Sequence, residues 1–169
     1  MFIAIVQHTP VRVWLLLATL IAIGLWQTRP RTMSLLRVTI LPLVLIVLSL
    51  SGVLSAFGHA PIALGGWSAG VGVALLFARQ ALAVRGAAWS SGTGMLYVPG
   101  SWLPLAMIVA LFSVKYAAGA SLALHPALAH DALFAGTCSL AYGGFSGLFL
   151  ARALSLRGLA SPPAAWQPA

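Results

Sequence analysis

The sequence has 169 residues, of which 61% are hydrophobic and only 6% are charged, with nine basic side chains and one acid. A soluble domain carries about 25% charged residues, so this chain has too few charges to cover an aqueous surface. The net charge of +8 does not indicate nucleic-acid binding, because the basic residues stand singly or in small groups between apolar runs. The composition therefore predicts an all-α integral membrane protein.

Five apolar runs have about the length of 20 residues that a helix needs to cross the hydrocarbon core. They are residues 11–27, 36–57, 62–84, 102–124 and 132–154. Asp131 is placed to cap the last of these helices. The runs predict one transmembrane domain over residues 1–157, followed by a disordered cytoplasmic tail, 158–169, that is rich in Pro and Ala.

Basic residues mark alternate connections between the predicted spans. Seven of the nine lie between spans one and two, or at or just after the ends of spans three and five: Arg29, Arg31, Arg37, Arg79, Arg85, Arg152 and Arg157. The positive-inside rule predicts a single orientation for these spans, with the N-terminus outside and the C-terminus in the cytoplasm. We interpret Arg79 and Arg152 as anchors to lipid phosphates, with a cytoplasmic site for an anionic ligand as the alternative.

The connection between spans three and four differs from a simple loop. Its sequence, RGAAWSSGTGMLYVPGSW at residues 85–102, has two short runs around a Gly-rich centre. This pattern predicts a small β-hairpin at 87–99, and the alternative is an irregular interfacial loop.

Two stripes of small residues indicate an internal repeat. Each stripe has a small residue at every fourth position, and the second follows the first by 73 residues. The stripes are Gly66, Gly70, Ala74 and Ala78 in span three, and Ser139, Gly143, Gly147 and Ala151 in span five. Small residues four apart allow close approach of membrane helices. We therefore predict two parallel-repeat helical hairpins whose spans three and five pack together, with span one as an added peripheral helix.

Lys115 is the only lysine of the chain and lies inside span four. It is about 20 Å from the predicted cytoplasmic end of its helix. Asp131, the only acid, and Tyr142 in span five are its candidate neighbours. An intramembrane charge indicates a polar functional site, and the alternative is an anchor whose stem extends to the outer surface.

All four histidines fall on the predicted outer side. His8 precedes span one, His59 follows span two, and His125 and His130 lie between spans four and five. Imidazole binds metals and haem, but these histidines lack an H-x-x-x-H spacing or a cysteine partner. We interpret them as residues of loop ends, with a metal or haem site as the weaker alternative, and expect no cofactor.

Several stretches resemble one known group of proteins. The sequences VQHTPVRVWLLLA, VPGSWLPLAMIVALFSVKYAAG and HPAL resemble a family of small proteobacterial inner-membrane proteins of unknown function. The resemblance covers most of the chain except its Pro-rich tail. It implies an integral membrane protein located in the bacterial inner membrane, and it assigns no functional residue.

Three functions remain open from the sequence. The lack of carboxylate pairs, phosphate loops and nucleophile motifs favours a non-enzymatic protein. The small-residue stripes favour one that acts by association with itself, with another membrane protein or with lipids. A small transporter or channel component with a polar site at Lys115 is the second hypothesis. Metal or haem binding by the outer histidines is the third.

Overall fold

The computed structural model describes residues 11–81, 84, 86–90, 92 and 94–160, without the side chains of residues 12, 41 and 78–81. The chain is mostly helical in this part, with five long helices. They are α1 Val11–Trp26, α2 Leu35–Phe57, α3 Pro61–Ala81, α4 Leu103–Leu124 and α5 Ala132–Gly158. A short 3₁₀ helix, Pro126–His130, precedes α5. The helix bounds lie within four residues of the predicted runs, because long apolar segments are a strong local signal.

A small antiparallel sheet joins two connections between helices. Its strands are β1 Arg31–Ser34, β2 Ala88–Ser90 and β3 Met95–Val98, in the order β1-β3-β2. The pairing of β2 with β3 is the predicted hairpin. β1 was not predicted from the sequence. It pairs with β3 over its whole length, from Arg31 opposite Val98 to Ser34 opposite Met95.

The sheet places five helix ends at one end of the bundle, which we call the sheet end. β1 connects α1 to α2, and the hairpin connects α3 to α4. The last turns of α5 pack on the sheet, where Ala153 and Leu156 form a buried cluster with Val38, Leu96 and Val98. Each helix therefore runs opposite to the one before it.

Helices α3 and α5 make the most extensive helix contact of the fold. An added Cβ at Gly66 would lie 2.7 Å from the carbonyl oxygen of Gly136. At Gly70 it would meet the carbonyl oxygen of Leu140, and at Gly147 it would lie 2.6 Å from Cβ of Ala74. Small side chains thus let the two backbones touch, as they do in close contacts between membrane helices.

Helix α1 contacts mainly α4 and presents much of its surface outward. An added Cβ at Gly24 would collide with the side chain of Leu105, so the two helices approach closely at this glycine. Val11, Leu15 and Trp26 are 71%, 63% and 66% exposed. This arrangement agrees with a helix added at the periphery, while the internal repeat itself stays a prediction.

Among the described residues, three helices are long and apolar enough to cross a membrane: α2, α4 and α5. The apolar parts of α1 and α3, Val13–Trp26 and Pro61–Phe77, are shorter than about 20 residues. Large apolar side chains also face outward, with Leu76 and Phe77 at 78% and 76% exposure. A lipid surface can cover such side chains, so these features suggest a membrane protein, and the count of five spans stays a prediction.

Candidate functional site

A cavity of about 400 Å³ lies between α1, α2, α4 and α5 and next to β1. Ligand sites in proteins have volumes of about 300–1,000 Å³, so this space can hold a small ligand. Its wall is mainly apolar, with contributions from Leu20, Leu45, Ile108 and Phe149. The cavity extends from the sheet end to the level of Lys115, and each of these two limits carries polar groups.

Three arginines and a glutamine line the cavity at the sheet end. They are Gln27 after α1, Arg31 in β1, Arg37 in the first turn of α2, and Arg152 in α5. The guanidinium of Arg31 donates a hydrogen bond of 3.2 Å to Oε1 of Gln27. The side chain of Arg31 is partly buried, and this burial lowers its pKa from the ordinary value.

Strand alternation explains how Arg31 reaches the cavity. Successive side chains of a strand point to opposite faces, and residues opposite each other share a face. Arg31 therefore lies on the same face as Met33 and its partner Val98, which is buried against the helices. Both Arg31 and Met33 line the cavity.

Lys115 marks the other limit of the cavity, about 18 Å along α4 from its first residue. Its Nζ atom lies over the ring of Tyr142, 5.4 Å from the centroid, which is a cation–π distance. The Lys115 side chain is exposed, and Tyr142 is 6% exposed. Nζ also lies 3.2 Å from the position of a Cβ added at Gly52, so a glycine of α2 leaves room for the ammonium group.

A hydrogen-bonded group of side chains joins three helices at the same depth. The indole N–H of Trp67 in α3 donates to Oγ of Ser49 in α2 over 3.2 Å. Ser49 and Ser146 then both donate to the backbone carbonyl of Tyr142 in α5, over 3.3 Å and 2.9 Å. Ser49 and Ser146 also line the cavity. The backbone around Tyr142 is thus held in place beside Lys115.

Asp131 makes a different contact from the one considered in the sequence analysis. Its carboxylate accepts a hydrogen bond of 2.7 Å from the backbone N–H of Phe134 and caps α5. This is the predicted capping role. Tyr142, which neighbours Lys115, is ten residues beyond Ala132, the first residue of α5. It therefore lies about 15 Å along the helix from the end that Asp131 caps. The structure therefore brings Lys115 and Tyr142 together and leaves Asp131 at the end of the bundle.

The described histidines lie at the end of the bundle opposite the sheet. His59, His125 and His130 are exposed there, and His8 lies outside the described residues. In the part of the chain that the structure describes, no three side chains of His, Cys, Asp or Glu come together as metal ligands. The described histidines therefore do not form a metal-binding cluster in this part of the chain.

The small-residue stripes lie between α3 and α5. Gly70, Ala74, Ser139, Gly143, Gly147 and Ala151 are buried and Gly66 is partly buried, whereas the side chain of Ala78 lies outside the described part. Oγ of Ser139 is buried without a hydrogen-bond partner in the structure. Since these faces contact each other within one chain, they are not a free surface for a second copy.

The comparisons with known proteins place the chain in a family. The model of DUF6622, a family of unknown function, matches residues 1–167. The chain belongs to this family. No curated protein and no solved structure matches it. The expected resemblance to a family of unknown function is confirmed by the match, and the bacterial source and the membrane stay proposals.

The arginine cluster at the sheet end was not predicted as a site. From the sequence, Arg152 was paired with Arg79, whose side chain lies outside the described part, and Arg31 and Arg37 were interpreted as topology signals. The structure instead places Arg152 with Arg31 and Arg37 on one cavity wall. The available signal in the sequence was an excess of arginine over acid, because the chain has a single acid. That Arg31, Arg37 and Arg152 line one cavity becomes visible only once β1 is paired with β3.

Proposed function

We propose that the chain is a multi-pass protein of the bacterial inner membrane that binds an amphipathic ligand in the cavity between α1, α2, α4 and α5. The cavity is the observation that carries this proposal, because it combines a mainly apolar wall with cationic groups at its two limits. An apolar cavity with a few convergent polar groups is the usual form of a ligand site.

The proposed binding role replaces self-association as the leading hypothesis. Association was favoured by the small-residue stripes, and the closest contacts of Gly70 and Gly143 are with the partner helix of the same chain. The transporter hypothesis required a polar cavity that reaches Lys115. The observed cavity reaches Lys115, but its mainly apolar wall suits a hydrocarbon chain better than a hydrated ion.

The proposed orientation places the sheet end in the cytoplasm. Arg29, Arg31, Arg37, Arg152 and Arg157 lie at that end in the described part of the chain. The opposite end carries exposed histidines and the only acid. An excess of arginine on one side is the signature of the cytoplasmic face.

Cysteine labelling is expected to show this orientation. Cys138 is the only cysteine, so Cys138→Ser provides a background without thiols. On that background His59→Cys should react with a membrane-impermeant maleimide in intact cells, because it lies outside. Ser90→Cys, in the exposed part of β2, should react only after the cells are lysed. The reverse pattern would place the sheet end outside and contradict the proposal.

Filling the cavity is expected to prevent ligand binding. Ile108→Trp adds an indole to the cavity wall, whereas Leu76→Trp adds the same group at a position that is 78% exposed and outside the wall. The full chain in phosphatidylcholine vesicles is exposed to a photoactivatable fatty-acid analogue, and labelled peptides are identified by mass spectrometry. Labelling of the cavity helices should fall several-fold in Ile108→Trp and stay unchanged in Leu76→Trp. An equal response of the two variants, or no labelling of the cavity in the unaltered protein, contradicts ligand binding.

A further inference from the structure

We propose that the cavity binds an anionic lipid of the cytoplasmic leaflet, with its phosphate headgroup among Arg31, Arg37 and Arg152 and its acyl chain along the apolar wall. This inference rests on the proposed function and specifies the chemistry of the ligand. Three observations support it: the charge at the sheet end, the apolar wall and the length of the cavity.

The charge at the sheet end has no acidic side chain to balance it. The chain has a single acid, Asp131, which caps α5 at the opposite end of the bundle. Arg31 and Arg152 repel each other electrostatically, and both are partly buried. Bringing like charges together at the edge of an apolar cavity is unfavourable unless an anion binds between them.

Arginine is suited to a phosphate headgroup. Its planar guanidinium forms two parallel hydrogen bonds with phosphate oxygens, and it is more weakly hydrated than an ammonium group. Arg31 is oriented by its hydrogen bond to Gln27, and Arg37 and Arg152 are held on two different helices. Basic pockets between membrane helices on the cytoplasmic side are known to bind lipid headgroups.

The length of the cavity fits the acyl chain of one leaflet. Arg37 and Ser49 both line the cavity from α2 and are 12 residues apart, so they are about 18 Å apart along the helix. One leaflet contributes about half of the roughly 30 Å hydrocarbon core. A lipid with its phosphate at the arginines would therefore extend its chain to the level of Ser49 and Lys115. The apolar wall between these levels favours a lipid over free phosphate.

Competition between lipids tests the headgroup. The full chain is reconstituted in phosphatidylcholine vesicles with a phosphatidylglycerol analogue that carries a photoactivatable group in its acyl chain. Unlabelled phosphatidylglycerol should reduce labelling of the cavity helices at least about fivefold more effectively than unlabelled phosphatidylcholine, because each arginine near a membrane surface favours an anionic lipid by roughly that factor. Inorganic phosphate at millimolar concentration should not compete.

Arginine substitutions provide the matched variants. Arg37→Gln and Arg152→Gln should each reduce the preference for phosphatidylglycerol about fivefold. Arg29→Gln removes the same charge at the same end from an exposed residue outside the cavity wall, and it should leave the preference unchanged. Because Arg37 is exposed, its substitution tests the site without disturbing packing.

Each other outcome overturns the headgroup proposal. Equal competition by the two lipids would show that the cavity binds acyl chains without discriminating between headgroups. The proposed function would then hold without the headgroup proposal. A loss of preference in Arg29→Gln as large as in Arg37→Gln would assign the effect to general surface charge. Competition by inorganic phosphate would show a phosphate site rather than a lipid site. Failure of the fatty-acid analogue to label the cavity would contradict the proposed function itself.

Discussion

Gly143→Ala is expected to destabilise the protein, whereas Gly144→Ala, one residue later, is expected to be tolerated. A Cβ at Gly143 would meet the carbonyl oxygen of Trp67 and lie 2.8 Å from its carbonyl carbon and 2.9 Å from its Cα. These are backbone atoms of α3, so α3 and α5 would have to separate. Overpacking of this kind costs about 1–3 kcal/mol.

Gly144 provides the matched control for this prediction. A Cβ at Gly144 would have no neighbour within 4 Å, and alanine has a higher helix propensity than glycine. Thermal unfolding of the two purified variants in the same detergent measures the difference. Equal stability of Gly143→Ala and Gly144→Ala would contradict the close packing of α3 on α5.

Gly100→Ala is expected to have the second large effect, because it would separate the two connections at the sheet end. A Cβ at Gly100 would collide with the carbonyl oxygen of Thr28 and lie 2.6 Å from its carbonyl carbon. The neighbouring N–H of Ser101 donates a hydrogen bond of 3.4 Å to the carbonyl of Gln27. We expect a loss of about 1–3 kcal/mol in the free energy of unfolding, together with weaker lipid labelling of the cavity.

The labelling would weaken because this contact positions the arginine cluster. Gln27 and Arg31 follow α1 and line the cavity, and the contact at Gly100 holds their segment against the start of α4. Gly92→Ala, in the hairpin turn, is the control, since a Cβ there would meet nothing within 4 Å. If Gly100→Ala retained full stability and labelling, the sheet end would not depend on this contact.

Much of the helical architecture could be predicted because its signals are local. The apolar run predicted at 132–154 corresponds to a helix over Ala132–Gly158, and Asp131 caps it as expected. The hairpin was also predicted, because its Gly-rich centre and its β-forming run are close in sequence. The pattern of small residues indicated the contact of α3 with α5, because close backbone approach requires small side chains.

The site was harder to predict because its residues meet through contacts that are distant in sequence. β1 has only four residues, and its pairing partner lies more than 60 residues later. Lys115 had two candidate neighbours on span five, and sequence spacing does not choose between them. The structure sets Lys115 over Tyr142, whereas Asp131 is used by its own helix.

The sequence by itself determined the apolar class of the chain, the approximate bounds of its helices and the hairpin, because hydropathy, capping and turn chemistry act over a few residues. Only the tertiary structure decided which charged side chains line the same cavity. Pairing of β1 with β3 and packing of α5 on the sheet bring Arg31, Arg37 and Arg152 to the wall of one cavity. Convergence of this kind depends on nonlocal pairing and helix packing, and those contacts turn scattered topology signals into a candidate lipid site.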